Sequence, residues 1–311
     1  MHAGSYAHFL NQRDDVALSG VWDEDKERAT DFAKTHNSDY ISNIEELLND
    51  SDAVIICSEN KKHAEFIEIA ANAGKQILCE KPLVTSHEEA KKVRNATKLN
   101  NVNLMTAFPC RFSPVYQRAK QRVKNCDIGK IFSVCATNHG SCPFDWFVEE
   151  EKSGGGAMMD HTVHIADLLR DLLESEAKNV YAQTGNQMYR KSWDDTAMLH
   201  IEFENGVFTT IDASWSRPKS YKTWGDVKMN IVGEKGVIEI DLFSQAFDLY
   251  RETHELASFG TSADRILIDS FIASLNGAPI VTTMEDGLRA SSIVIAGYES
   301  AKSNEPIPIA V

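Results

Sequence analysis

In the first third of the chain, short apolar runs alternate with stretches in which apolar residues recur every three or four positions. The runs cover residues 16–22, 53–57, Gln76–Glu80 and 103–108. Strands that are apolar on both faces and joined by helices build parallel sheets with helices covering each side. Helix boundaries carry matching signals: Ser42 with Glu45 and Ser86 with Glu89 have capping-box spacing, and Gly74 stands where a helix should stop before the next strand. After Phe108 the pattern changes. Ser113-Pro114 opens a helix, residues 131–138 read as a strand, and from Asn179 to Arg251 the alternation has period two. Leu199, Ile201 and Phe203, then Asn205-Gly206, then Val207, Thr209, Ile211, Ala213 and Trp215 describe an antiparallel hairpin. Two amphipathic helices, Ala263–Leu275 and residues 285–301, close the chain. The pattern predicts an α/β unit with a parallel sheet over residues 1–108 and an α+β unit over residues 109–311, sharing a cleft.

A length of 311 residues suits two such cores. With 42% hydrophobic and 25% charged residues, and no apolar run near the roughly 20 residues a membrane span needs, the composition is that of a soluble protein. A net charge of −14 without basic clusters argues against a phosphate-backbone partner and an anionic membrane surface. The six cysteines are scattered, with no CxxC pair and no metal spacing, and the beginning carries no signal-like segment; reduced thiols in a cytoplasmic protein are expected.

A dinucleotide-binding sheet normally opens with an apolar strand running into GxGxxG, where glycines let the backbone approach the pyrophosphate. Neither is in this sequence. Ala3, Tyr6, Ala7 and Leu10 already have the spacing of a packed helix face. The first strand of the sheet is therefore missing from the sequence as it stands, and about 10 to 15 residues of strand and loop are expected before Met1 in the native product. The alternative is a deletion, which would leave backbone groups of the sheet unpaired.

Several polar residues fall where such a sheet does chemistry. Asp23 follows the run 16–22 and can accept both adenosine ribose hydroxyls, favouring NAD over NADP, or can cap the helix containing Arg28. Ser58, Asn60 and His63 follow the second run at the carboxyl edge, where ligands bind open α/β sheets; turn and cap duty is the alternative. Glu80-Lys81-Pro82 ends the third run, and charges there are costly unless solvated or paired, so a cleft position is expected. An ammonium at Lys81 can stabilise an alkoxide, and Lys81-Pro82 is a candidate cis peptide. Gly154-Gly155-Gly156 leads into a helix carrying Asp160 and His164, four apart on one face; the carboxylate should favour the charged imidazole, making a proton acceptor, or the two form a surface ion pair. His161 and His164 without a third ligand make a poor metal site, and no metal is expected. Arg111, Trp146, Trp215, Arg217 and Lys219 could line the second wall of the cleft or serve packing and solvation.

In this order, the strand ending in Glu80-Lys81-Pro82 and the triple glycine entering a helix with Asp160 and His164 resemble the glucose-fructose oxidoreductase / inositol dehydrogenase (Gfo/Idh/MocA) family. Arg111-Phe112-Ser113-Pro114, Gly129-Lys130-Ile131, Asp194-Asp195-Thr196-Ala197, Ser214-Trp215 and Gly233-Glu234-Lys235-Gly236 extend the similarity along the chain. The resemblance implies a Rossmann domain, a second domain with a large, mostly antiparallel sheet that often makes oligomer contacts (a homodimer or homotetramer), and NAD as cofactor. It implies Lys81, Asp160 and His164 as catalytic residues, with His164 the general acid/base and Glu80 and Lys81 beside the cofactor. The expected reaction moves hydride between nicotinamide and a secondary alcohol of a sugar or cyclitol. An NAD-dependent glycoside hydrolase and a ligand-sensing regulator are the competing readings. The absent GxGxxG is the one departure from the family's pattern.

Overall fold

The structure is a computed structural model describing residues 2–310 other than 222, 224, 245, 251–253, 259 and 261. Met1 and Arg251, which bound two of the expectations above, lie outside the described residues. The first half runs α1 (His2–Leu10), α2 (Lys26–Thr35), α3 (Ile44–Asn49), β1 (Ala53–Ile56), α4 (His63–Asn72), β2 (Gln76–Glu80), α5 (His87–Asn100) and β3 (Leu104–Ala107). The strands pair in parallel in the order β1-β2-β3. Ile77, Leu78 and Cys79 are fully buried because helices cover both faces. Gly74 has a positive φ of 71°, which only glycine adopts without strain as α4 turns into β2.

Next come α6 (Pro114–Lys124), β4 (Ile131–Gly140), α7 (Glu150–Ser153), α8 (Ala157–Leu173), β5 (Ala177–Gly185), β6 (Thr196–Phe203), β7 (Phe208–Ser214), β8 (Gly225–Gly233) and β9 (Gly236–Asp241). A hairpin, β10 (Ala246–Tyr250) with β11 (His254–Ser258), precedes α9 (Ala263–Leu275), α10 (Met284–Ser303) and β12 (Ile307–Pro308). The second sheet has seven strands in the order β12-β5-β6-β7-β4-β8-β9, all antiparallel except β4 with β7. Its inner face packs on α8 and α10 in one apolar cluster containing Val163, Leu168, Ile201, Ile211, Ile293 and Val294. The Asn205-Gly206 turn joins β6 to β7 as its sequence requires, with Gly206 at φ 84°.

Three expectations are corrected. Residues 16–22 form no ladder: Val21 makes a single bridge to Tyr40, while Val16 and Leu18 pack in the same apolar cluster as Ala53, Ile55 and Cys57. Their apolar content is satisfied by side-chain packing, which strand-like composition does not distinguish from pairing. Asn43, not Ser42, caps α3, its side chain accepting from the Glu45 amide. Asp25, not Asp23, caps α2. The chain after Phe108 also does not stay with the second sheet. Leu267, Ile268, Phe271 and Ile272 of α9 pack with Tyr6, Leu78 and Met105, and Thr282 accepts a backbone bond from Thr106. From there α10 begins in the first core, where Leu288 is buried, and ends in the second, where Ser300 bonds the backbone of Ala182 in β5. Among the described residues no helix is long and apolar enough to cross a membrane.

Candidate active site

The site is built where the carboxyl end of β2 meets the start of α8. The sheet delivers Lys81 directly after Glu80, and the Lys81-Pro82 peptide is cis. On the other side, no side chain adjacent in sequence caps α8. The cap comes from Asp194, whose carboxylate accepts from the amides of Gly156 (3.0 Å) and Met158 (2.8 Å) and from the Tyr298 hydroxyl (2.8 Å). A carboxylate at a helix N-terminus satisfies orphan amides and complements the dipole. This packing explains the glycines. A Cβ on Gly155 would sit 2.3 Å from the Tyr298 hydroxyl oxygen, and one on Gly156 would sit 2.2 Å from the Asp194 carbonyl.

Lys81 Nζ donates to Asp160 Oδ1 at 2.7 Å and to the Asp160 carbonyl at 3.2 Å. Asp160 Oδ2 accepts from the Trp215 indole at 3.1 Å and faces His161 Nε2 at 3.2 Å. Asp160 is thus surrounded by donors. Burial pushes its carboxyl up, but Lys81 and His161 outweigh burial and hold it well below the usual carboxylate range. Burial pushes Lys81 down, yet Asp160 and Glu80 outweigh it, and the ammonium is favoured. His164 is buried, lies edge-on to Phe108, and has Nδ1 3.9 Å from Cys110 Sγ. The expectation that Asp160 would favour a charged imidazole at His164 is corrected. Asp160 does pull that imidazole up, but burial and then the Lys81 ammonium push it the other way, well below the usual histidine value. The uncharged ring is favoured at His164.

The remaining expected residues divide. Asp23 lies at the sheet's carboxyl edge, where Arg28 chelates it through Nε and Nη2, both at 2.7 Å; burial pushes the carboxyl up, and Arg28 outweighs it. Asn60 is buried and donates to the Ser153 carbonyl, tying that edge to the segment entering α8. His63 is fully buried, with its ring between the carbonyls of Pro82 and Ser58, and burial lowers its pKa. Glu80 accepts from the Tyr6 hydroxyl and the Lys81 amide. Arg111 is not on a cleft wall: it is buried against Asp167, with Asp171 and Asp286 close by, because a guanidinium in a dry position needs carboxylates around it. Trp146 stacks on Phe147, Arg217 pairs with Asp226 and lies over the Tyr221 ring, and Lys219 is exposed. Of the five, only Trp215 reaches Asp160. Asp194, Tyr298 and His161 were not expected in the site's framework. Their sequence signal was at most the Asp194-Asp195-Thr196-Ala197 string, which names no partner. Among the described residues no group of three or more His, Cys, Asp or Glu is arranged to hold a metal.

Residues 2–108 match the oxidoreductase family with an NAD-binding Rossmann fold, and residues 116–239 match the GFO/IDH/MocA C-terminal domain. An uncharacterized oxidoreductase, YrbE, of Bacillus subtilis is 32% identical over 94% of this chain and 89% of its own length. The chain belongs to the GFO/IDH/MocA oxidoreductase family. Within that family it is also similar to the myo-inositol 2-dehydrogenase of Thermotoga maritima, 26% identical over 96% of this chain and 92% of the relative. Its fold matches that of GenD2 from gentamicin A biosynthesis, solved in complex with NAD, with a TM-score of 0.91 at 23% identity, over 100% of this chain and 94% of that one.

As a GFO/IDH/MocA oxidoreductase the chain takes NAD at its Rossmann sheet. His2, at the start of α1, has its ring Nδ1 3.5 Å from Asp264 Oδ2, and Glu80 with Asp264 raises its pKa against burial.

Proposed function

We propose that this protein oxidises a secondary alcohol of a cyclic polyol or sugar, with NAD as hydride acceptor. The observation carrying this reading is the buried His164 imidazole on the same helix face as a carboxylate that the Lys81 ammonium holds at 2.7 Å. Nicotinamide bound at the sheet edge supplies the hydride acceptor. His164 takes the hydroxyl proton, since an uncharged imidazole ring has a free lone pair. Lys81, aimed by Asp160, donates to the same oxygen and stabilises its developing charge. The relatives named as myo-inositol, scyllo-inositol and levoglucosan dehydrogenases support a cyclic polyol as the substrate class. Exposed Phe132, Met198, Phe208 and Val237 on the uncovered face of the large sheet support assembly into a homodimer or homotetramer.

The test is NADH formation with a panel of inositol isomers, anhydrosugars and hexoses. Turnover of at least one, lost in Lys81→Ala, supports the reading; no turnover with NADH instead produced from an unrelated alcohol class ends it. Asp23 supplies a second test. Its carboxylate repels a 2′-phosphate, so NAD should bind at least about 10-fold tighter than NADP. Asp23→Ala should narrow or reverse that ratio, because it also releases Arg28 to meet the phosphate. Equal affinities in the unaltered protein would remove Asp23 from the ribose site.

A further inference from the structure

We infer that Trp215 and His161 are positioning residues that dedicate the Asp160 carboxylate to Lys81 and keep it off His164. The inference rests on the reading of His164 as proton acceptor and concerns how that acceptor is kept ready. Asp160 and His164 are one helical turn apart, the spacing at which a carboxylate and an imidazole ordinarily meet. They do not meet here. Oδ1 of Asp160 is taken by the Lys81 ammonium, and Oδ2 by the indole N–H of Trp215 at 3.1 Å and the His161 ring at 3.2 Å.

Both positioning groups are themselves fixed. Trp215 is 1% exposed and packs edge-on against Trp193 in a cluster with Cys142 and Ala157. His161 is 2% exposed; its Nδ1 faces the Asn138 carbonyl at 3.0 Å, while the Asn138 amide donates back to the His161 carbonyl at 2.9 Å. The large sheet thus grips Asp160 through β4, which carries Asn138, and through the residue after β7, Trp215. Neither contact follows from helix spacing, since the partners lie 55 and 23 residues away in the chain.

The charged and titratable groups around His164 come from four elements. They are Lys81 after β2, Asp160 and His161 on α8, His2 on α1 and the Cys110 thiol before α6. Burial opposes a proton on the ring most, and Lys81, His161 and His2 oppose it too, while Asp160 draws a proton to it. Releasing Oδ2 allows the carboxylate to turn along the helix face toward His164. The ring would then keep its proton to higher pH than in the unaltered protein, and the ammonium would be less firmly aimed.

The experiment is a histidine-selective NMR titration of the full chain, with the His164 signal assigned by its loss in His164→Ala, alongside the pH profile of kcat/KM for oxidation. Trp215→Phe keeps the ring and removes the donor. The expected result is a His164 midpoint higher by about one pH unit, with the acidic limb of the profile moving in the same direction. Its kcat should fall about 10-fold, the scale of one hydrogen bond to a charged group, with KM little changed. His161→Gln retains an N–H donor and should leave both midpoints near those of the unaltered protein, whereas His161→Leu should move them as Trp215→Phe does. An unmoved His164 midpoint in folded Trp215→Phe and His161→Leu would overturn the inference. So would equal shifts in His161→Gln and His161→Leu, because the donor would then be irrelevant. If no alcohol in the panel is oxidised, the proposed activity fails, while the NMR titration still decides this arrangement on its own.

Discussion

The two ends of α8 use the same kinds of side chain for opposite purposes. In its last turns, Asp167 meets Arg111, Arg170 meets Glu176 and Asp286, and Asp171 accepts from Tyr116 and Lys120. Every strong charge there is opposed by another, and the arrangement joins α6, α8 and α10. In its first turns, Asp160 is as well satisfied, while His164 contacts the Cys110 thiol and the Phe108 ring edge and has the Lys81 ammonium near enough to oppose its charge. One end is closed to further chemistry and holds elements together. The other keeps a single basic nitrogen uncommitted, at the expense of a charged state that burial and Lys81 oppose. A buried ion pair therefore does not mark a reactive site; an ionisable group without a strong partner, beside such a pair, is the better sign.

Substitutions should separate the two ends. His164→Ala should lower kcat by about 10² to 10⁴ while leaving the thermal midpoint and NAD affinity nearly unchanged, as expected for a positioned acid/base. A near-native kcat would place this histidine with the structural end. Arg111→Met should do the reverse. It leaves Asp167 buried without its cation, at a cost of about 3 to 5 kcal/mol in urea unfolding, while turnover per folded molecule should persist. Lys81→Met should lower kcat by about 10²-fold, the scale of losing one donor to a developing oxyanion. It also removes a positive charge that holds the His164 pKa down, so the acidic limb for oxidation should move to higher pH; movement to lower pH would mean that Lys81 does not act on the base. Gly156→Ala gives the smallest effect, about 1 to 3 kcal/mol of stability from forcing a methyl against the Asp194 carbonyl, read as a lower unfolding midpoint.

Much of this fold was legible because it follows local rules. The Asn205-Gly206 hairpin, the start of α6 at Pro114 and the span of α9 come from turn chemistry, proline at a first helical position and apolar periodicity. The candidate site was legible in its members but not in its pairing. Spacing puts Asp160 and His164 on one face, yet which neighbour a carboxylate takes depends on groups brought in from Lys81 and Trp215, far off in sequence. Arg111 illustrates a different limit: the sequence left it between the cleft wall and packing, and it is a core residue because three aspartates converge on it. The run 16–22 misled because composition reports burial, and burial was achieved there without a ladder.

Helix α10 has a mechanical consequence. Its 20 residues make a rod about 30 Å long. One end is embedded in the first core at Leu288, and the far end is bonded to β5 through Ser300, with Tyr298 between them fastening the entry of α8. A rod anchored in both halves transmits displacement instead of absorbing it. Drawing α8 away from the first core would therefore strain this helix and its Tyr298 contacts as well as the direct Lys81–Asp160 pair, so a part that touches neither Lys81 nor His164 shares in holding them in place.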